Sequence, residues 1–206
     1  MPISFFKLFH PISPSLLVGL SAEGFSPQAG EGWGEDLAMQ TEKLIGDVLR
    51  EKGWTLSIAE SCTGGLICDR ITDVSGSSDY FEGGMVTYSN ESKAEHLGIS
   101  LDYIKKYGAV SPQVASKMAQ GVRKVFGSTF GLSTTGVAGP TGGTKRSPVG
   151  RVFMGLAHGR RIWVKKEDFT GNRRAVKKQA TEECLKLLYN CLTQKSGVAG
   201  GHRRKR

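Results

Sequence analysis

Ser61 stands in the run Glu60-Ser61-Cys62-Thr63-Gly64-Gly65, where a hydroxyl is followed by small residues and two glycines. A serine on a tight turn from strand to helix has its hydroxyl thrust out of the sheet. The backbone N–H groups that follow it point to where an oxyanion forms during attack on a carbonyl. The run lacks the Gly-x-Ser-x-Gly pattern, so it gives no warrant for a Ser-His-Asp triad. It reads equally well as a plain helix start capped by Ser61 or Thr63.

A nucleophilic serine needs a base. Of the four histidines, His10 lies near the start, His202 near the end and His158 in an expected turn, which leaves His96. That residue is explained as well by the dipole at a helix end. Lys93 is the other candidate, because a lysine withdrawn from water loses its charge near neutral pH and can then take a serine proton. Its neighbours Glu91 and Glu95 fit an ordinary solvated lysine too. A third constellation is the loop from Thr135 to Thr144, which includes Gly136, Ala138 and Gly139 and supplies backbone N–H groups little hindered by side chains. Such a loop can cradle a phosphate or small polar ligand, although no Gly-Lys-Ser/Thr ending makes it a P-loop. Gly171-Asn172-Arg173-Arg174 opens the last helix and adds guanidinium groups suited to an anion, or to a solvated basic face.

The elements that must position these residues follow from periodicity. From Asp36 the set Leu37, Leu44, Ile45, Val48 and Leu49 has helical spacing and ends at Gly53. Trp54 to Ala59 reads as a strand with Ser61 at its end, followed by a helix carrying Leu66, Ile67, Ile71 and Val74. Met85 to Tyr88 is expected as a second strand, with Asn90 capping a short helix through Leu97 that stops at Gly98. Ser111-Pro112 opens a helix whose apolar stripe is Val114, Met118, Val122 and Val125. Thr129 to Thr135 is a third strand, and Gly150 to Ala157 and Arg161 to Phe169 form a hairpin. A last helix runs from about Arg173 to Leu192, with Val176, Ala180, Leu187, Leu188 and Cys191 inward. Alternating elements with a late hairpin predict an α/β fold, a three-layer α/β/α sandwich around a mixed central sheet.

The chain has 206 residues, 28 of them glycine, and a net charge of +9. The expected organisation is an irregular extension over 1–35, one folded domain over 36–194 and a basic tail over 195–206, with Met39 an alternative start. Prolines and glycines interrupt the apolar start, so neither a membrane span nor a signal peptide is expected. Cys62, Cys68, Cys184 and Cys191 show no zinc-ligand spacing and fit reduced thiols in the cytoplasm, with no metal. Four positive charges close the chain at Arg203-Arg204-Lys205-Arg206 without aromatic residues for base stacking, so nucleic-acid binding is not expected.

The stretches Ala59 to Gly65, Val86 to Asn90 with Lys93, Gly108 to Ser111, Gly136 to Pro140 with Gly142-Gly143, Pro148 to Gly150, and Gly171 to Arg173 resemble the CinA C-terminal domain family in order and spacing. The resemblance covers about residues 37 to 193. It implies hydrolysis of the carboxamide of nicotinamide mononucleotide, without metal or cofactor, in pyridine nucleotide recycling. It makes Ser61 the nucleophile, Lys93 the general base and Tyr88 a hydrogen-bonding helper. Substrate-binding positions then fall on Thr63, Gly64, Gly65, Asn90, Thr135, Gly136, Ala138, Gly139 and Arg173. A homodimer acting on a small nucleotide is expected. The competing reading is a nucleotide-binding or competence-linked module that has lost amidase activity.

Overall fold

The computed structural model describes residues 33–193, and side chains from residue 41 onward. The expected extension and basic tail therefore lie outside the described residues, apart from the start of the first helix. That helix, α1, spans Trp33–Lys52 and so begins ahead of Asp36. It is followed by β1 (Leu56–Glu60), α2 (Leu66–Thr72), a short 3-10 turn (Ser77–Asp79), β2 (Phe81–Val86), α3 (Asn90–Leu97), α4 (Leu101–Tyr107) and α5 (Pro112–Phe126). The chain continues through β3 (Phe130–Gly136), β4 (Arg151–His158), β5 (Arg161–Asp168) and α6 (Arg173–Thr193). The strands form one mixed sheet in the order β2-β1-β3-β4-β5. β1 runs parallel to β2 and β3, while β4 and β5 form the antiparallel hairpin.

The two faces of the sheet are built differently, and the period-two pleat decides which residue lies on which. Leu56, Ile58, Phe130, Leu132, Val152, Met154 and Leu156 meet α1, α2 and α6 in the larger core, with Ile45, Leu49, Ile67, Ile71, Val176, Cys184, Leu185 and Leu188. Arg70 of α2 fastens that layer by pairing with Glu42 of α1 and, at 3.0 Å, with Glu182 of α6. Apart from Phe153, the residues between them on these strands are small: Ser57, Gly131, Gly155. A Cβ on Gly131 would lie 2.2 Å from the Ala119 carbonyl, and one on Gly155 would lie 2.5 Å from that of Ala115. Ser133 donates its hydroxyl to the Ala115 carbonyl at 2.7 Å. Backbone of α5 thus lies directly on the sheet, and α3 and α4 pack beside it around Leu97, Ile99, Ile104, Val114, Met118 and Val122.

Several local expectations are corrected. The second strand is Phe81–Val86 rather than Met85–Tyr88. The pair Gly83-Gly84 resembles a turn, but each glycine makes room for a neighbour: the Phe126 ring at Gly83 and the Cys68 sulfur at Gly84. Ser89, not Asn90, caps α3 by accepting from the Ser92 N–H at 3.0 Å. α4, seven residues long with Ile104 as its buried residue, is too short to display a helical period, although Ser100 caps it. Leu44 and Val125 are exposed, because the buried stripes run through Ile45 and Leu49 in α1 and through Val114, Met118 and Val122 in α5. Val74 falls beyond the end of α2.

Candidate active site

The parallel strands β1, β2 and β3 end at the same edge of the sheet, and from the end of β1 the chain crosses to β2 over one face and from β2 to β3 over the other. The crevice at such a switch of direction is where open α/β sheets hold ligands. Glu60 and Ser61 are successive residues there, and the pleat sends them to opposite sides. Glu60 is fully buried, and its carboxylate accepts from three N–H groups: Gly65 at 2.8 Å, Ile67 at 3.1 Å and Cys68 at 2.8 Å. A strand residue thus satisfies the open donors at the start of α2, where no adjacent side chain caps the helix. Gly64 and Gly65, with φ of +66° and +100°, let the chain turn back tightly enough for this. The N–H groups from Cys62 to Gly64 lie outside both this carboxylate and the ladder of α2.

Ser61 faces α3. The Lys93 Nζ lies 3.2 Å from the Ser61 Oγ and donates to the carbonyls of Thr87 at 2.8 Å and Tyr88 at 3.0 Å, with that of Ser89 at 3.4 Å. The lysine is only 1% exposed. Burial pushes its pKa down to about 8, against the smaller opposing effects of Cys62 and Glu91. Near that pH a substantial fraction is neutral. A neutral amine has two N–H donors for the two nearest carbonyls and leaves its lone pair toward Ser61, whereas the ammonium places its third proton there. The dyad can therefore pass a proton in either direction.

Cys62, the neighbouring thiol, is buried, and burial pushes its pKa up to about 12. It stays protonated and is a poor nucleophile. Among the described residues no group of three or more His, Cys, Asp and Glu side chains is placed to hold a metal.

Tyr88 joins the site by two routes. Its carbonyl helps hold Lys93, while its hydroxyl, on a side chain 59% exposed, accepts from Arg173 Nη2 at 2.9 Å. Arg173 also donates from Nη1 to the Gly139 carbonyl at 2.8 Å. One guanidinium thereby joins the exit of β2 to the glycine-rich loop and the start of α6. The remaining candidates contribute backbone or packing. Thr63 pairs hydroxyls with Thr134 at 2.8 Å, and Thr135 donates to the Ala109 carbonyl at 2.8 Å. Ala138 is in the core, and a Cβ on Gly136 would lie 2.6 Å from the Arg151 carbonyl. Asn90 is exposed on the first turn of α3, and its side chain is not brought to the dyad.

Two further residues belong to this neighbourhood. Glu60 carries a signal in the sequence, a carboxylate ending an otherwise uncharged strand that must find donors if buried. Lys177 is four residues after Arg173, on the same side of α6, and its Nζ lies 3.3 Å from where a Cβ on Gly64 would stand.

The chain and its fold have counterparts among known proteins. The pattern of the CinA C-terminal domain matches residues 38–192. A Moorella thermoacetica protein whose name describes it as competence-damage inducible is 47% identical over 151 residues, which are 73% of this chain and 36% of that one. A CinA-like protein of Syntrophomonas wolfei is 47% identical over 145 residues, 70% of this chain and 35% of that one. The chain thus spans little more than a third of the length of these curated relatives. Among solved structures, the competence/damage inducible protein CihA from Agrobacterium tumefaciens aligns with a TM-score of 0.73 at 30% identity, over 82% of this chain and all of that one. A competence damage-inducible protein A from Klebsiella pneumoniae aligns at 0.74 and 26% identity, over 76% of this chain and 98% of that one.

Proposed function

Because this chain belongs to the CinA C-terminal domain family, we propose that it is a serine amidohydrolase that converts nicotinamide mononucleotide to nicotinic acid mononucleotide and ammonia. The observation that carries this is the buried Lys93 amine, 3.2 Å from the Ser61 hydroxyl and with its pKa lowered to about 8. Lysines that serve as bases are made so by burial of this kind.

In the first half-reaction Lys93 takes the proton of Ser61 while the Ser61 oxygen bonds to the carboxamide carbon. The N–H groups of the turn after Ser61 are suited to the oxyanion that results. The carbon–nitrogen bond then breaks, Lys93 hands its proton to the departing nitrogen, and ammonia leaves behind an ester on Ser61. In the second half, Lys93 takes a proton from water as its oxygen attacks the ester, and returns that proton to Ser61 as the acid departs. Arg173 and Tyr88, joined at 2.9 Å, border the substrate. The enzyme would act in the cytoplasm as a homodimer, recycling pyridine nucleotides without metal or cofactor.

The test is ammonia release from nicotinamide mononucleotide by the purified protein, with Ser61→Ala beside it and both checked for folding. Release by the parent alone is expected. Silence from a folded parent would favour a nucleotide-binding module without amidase activity.

A further inference from the structure

Lys177 is half-buried on α6, with its ammonium against the glycine turn that follows Ser61. Among the described residues it has no hydrogen-bond or ion-pair partner. The acid of that turn, Glu60, has both oxygens committed to backbone N–H groups. The charged group one helical turn earlier is Arg173, which is also positive and is held by two neutral acceptors, the Tyr88 hydroxyl and the Gly139 carbonyl. Two cations thus share one side of the first turns of α6, beside the candidate nucleophile, and among the described residues neither has a carboxylate partner. A partly buried cation is stabilised by a counter-charge, and side chains four apart on a helix can grip one anion together. The Lys177 amine packs close against Gly64, where an added Cβ would stand 3.3 Å from it.

We propose that Lys177 determines specificity by binding the phosphate of a mononucleotide whose amide end meets Ser61, with Arg173 on the other side of the same phosphate. This rests on the amidohydrolase reading for the identity of the amide end, but not for the anion. A phosphomonoester suits the place because it carries close to two negative charges and several acceptor oxygens for two donors of this type.

The experiment measures binding of ribose 5-phosphate to the parent protein, K177Q and K177R by calorimetry, and in parallel the kcat/KM of each for nicotinamide mononucleotide and for the nucleoside without phosphate. Unfolding midpoints establish that all three are folded. K177Q should bind ribose 5-phosphate at least about tenfold more weakly, K177R should recover most of the loss, and the preference of K177Q for mononucleotide over nucleoside should fall by a similar factor. A folded K177Q that binds ribose 5-phosphate as tightly as the parent, or a parent that does not bind it, would overturn the assignment. If the parent binds ribose 5-phosphate through Lys177 but releases no ammonia, the amidohydrolase reading falls and the anion site stands. If ammonia is released and K177Q binds as the parent does, the reverse holds.

Discussion

Lys93 sits at the balance point between two chemistries. Removal from water lowers its pKa to about 8, outweighing Cys62 and Glu91, which favour the ammonium. Lys93 is 1% exposed, so truncating it leaves a cavity as well as removing the base; Lys93→Ala is expected to lower kcat for amide hydrolysis by about 10² to 10⁴-fold, with circular dichroism checking that the fold is retained. Cys62→Ala should keep activity within about threefold of the parent, since a thiol with a pKa near 12 is not the attacking group; loss comparable to that of Ser61→Ala would reassign the nucleophile. Ser61 and Lys93 were legible as residue types, one before two glycines and one in a short helix. Their pairing is implied by the family resemblance but not by spacing, because 32 residues separate them and the packing of α3 against the end of β1 closes the distance. The role of Glu60 is hidden for a related reason: in sequence it is one more acid, and its three N–H partners exist only once the turn has formed.

At the scale of elements, the site depends on how closely helices approach the sheet. Glu60 fixes the start of α2 and the turn that carries Ser61. Glu60→Gln replaces an acceptor-only group by one with a single acceptor oxygen, so a stability loss of about 1.5–3 kcal/mol is expected in urea unfolding. A change below the error of that measurement would show that the carboxylate is dispensable there. On the opposite face, Gly131→Ala must displace α5 backbone that lies 2.2 Å from the added carbon, and should cost about 1–3 kcal/mol. Helices with long stripes, such as α5, and the hairpin of β4 and β5 were readable from periodicity and turn residues. The start of β2 is hidden in the sequence because two adjacent glycines imitate a turn where they actually admit the Phe126 ring and the Cys68 sulfur. Its period of two becomes visible only when those neighbours are known.

Across the whole molecule, the pieces of the site come from distant parts of the chain: the end of β1, the exit of β2, α3, the loop after β3 and the start of α6. They converge because the parallel strands end together where the crossovers part, which is a property of topology rather than of any one segment. That convergence explains why the mixed α/β/α architecture could be read from alternating elements while the pairing of Arg173 with Tyr88, 85 residues apart, could not. Every residue assigned to the site lies between Glu60 and Lys177. Removing residues 197–206 is therefore expected to leave ammonia release unchanged, and a salt-sensitive affinity for duplex DNA lost with the same deletion would instead reveal a separate role for them.

Activation of Ser61 by a buried lysine has a clear readout in the pH dependence of kcat/KM for ammonia release from nicotinamide mononucleotide. The neutral amine is the active base, so the rate should rise with pH through an apparent pKa of about 8 and level off above it. Lys93→Ala, measured in parallel, should lose both the activity and that limb. A flat profile through this range, or a Lys93→Ala variant that works as well as the parent, would contradict the claim.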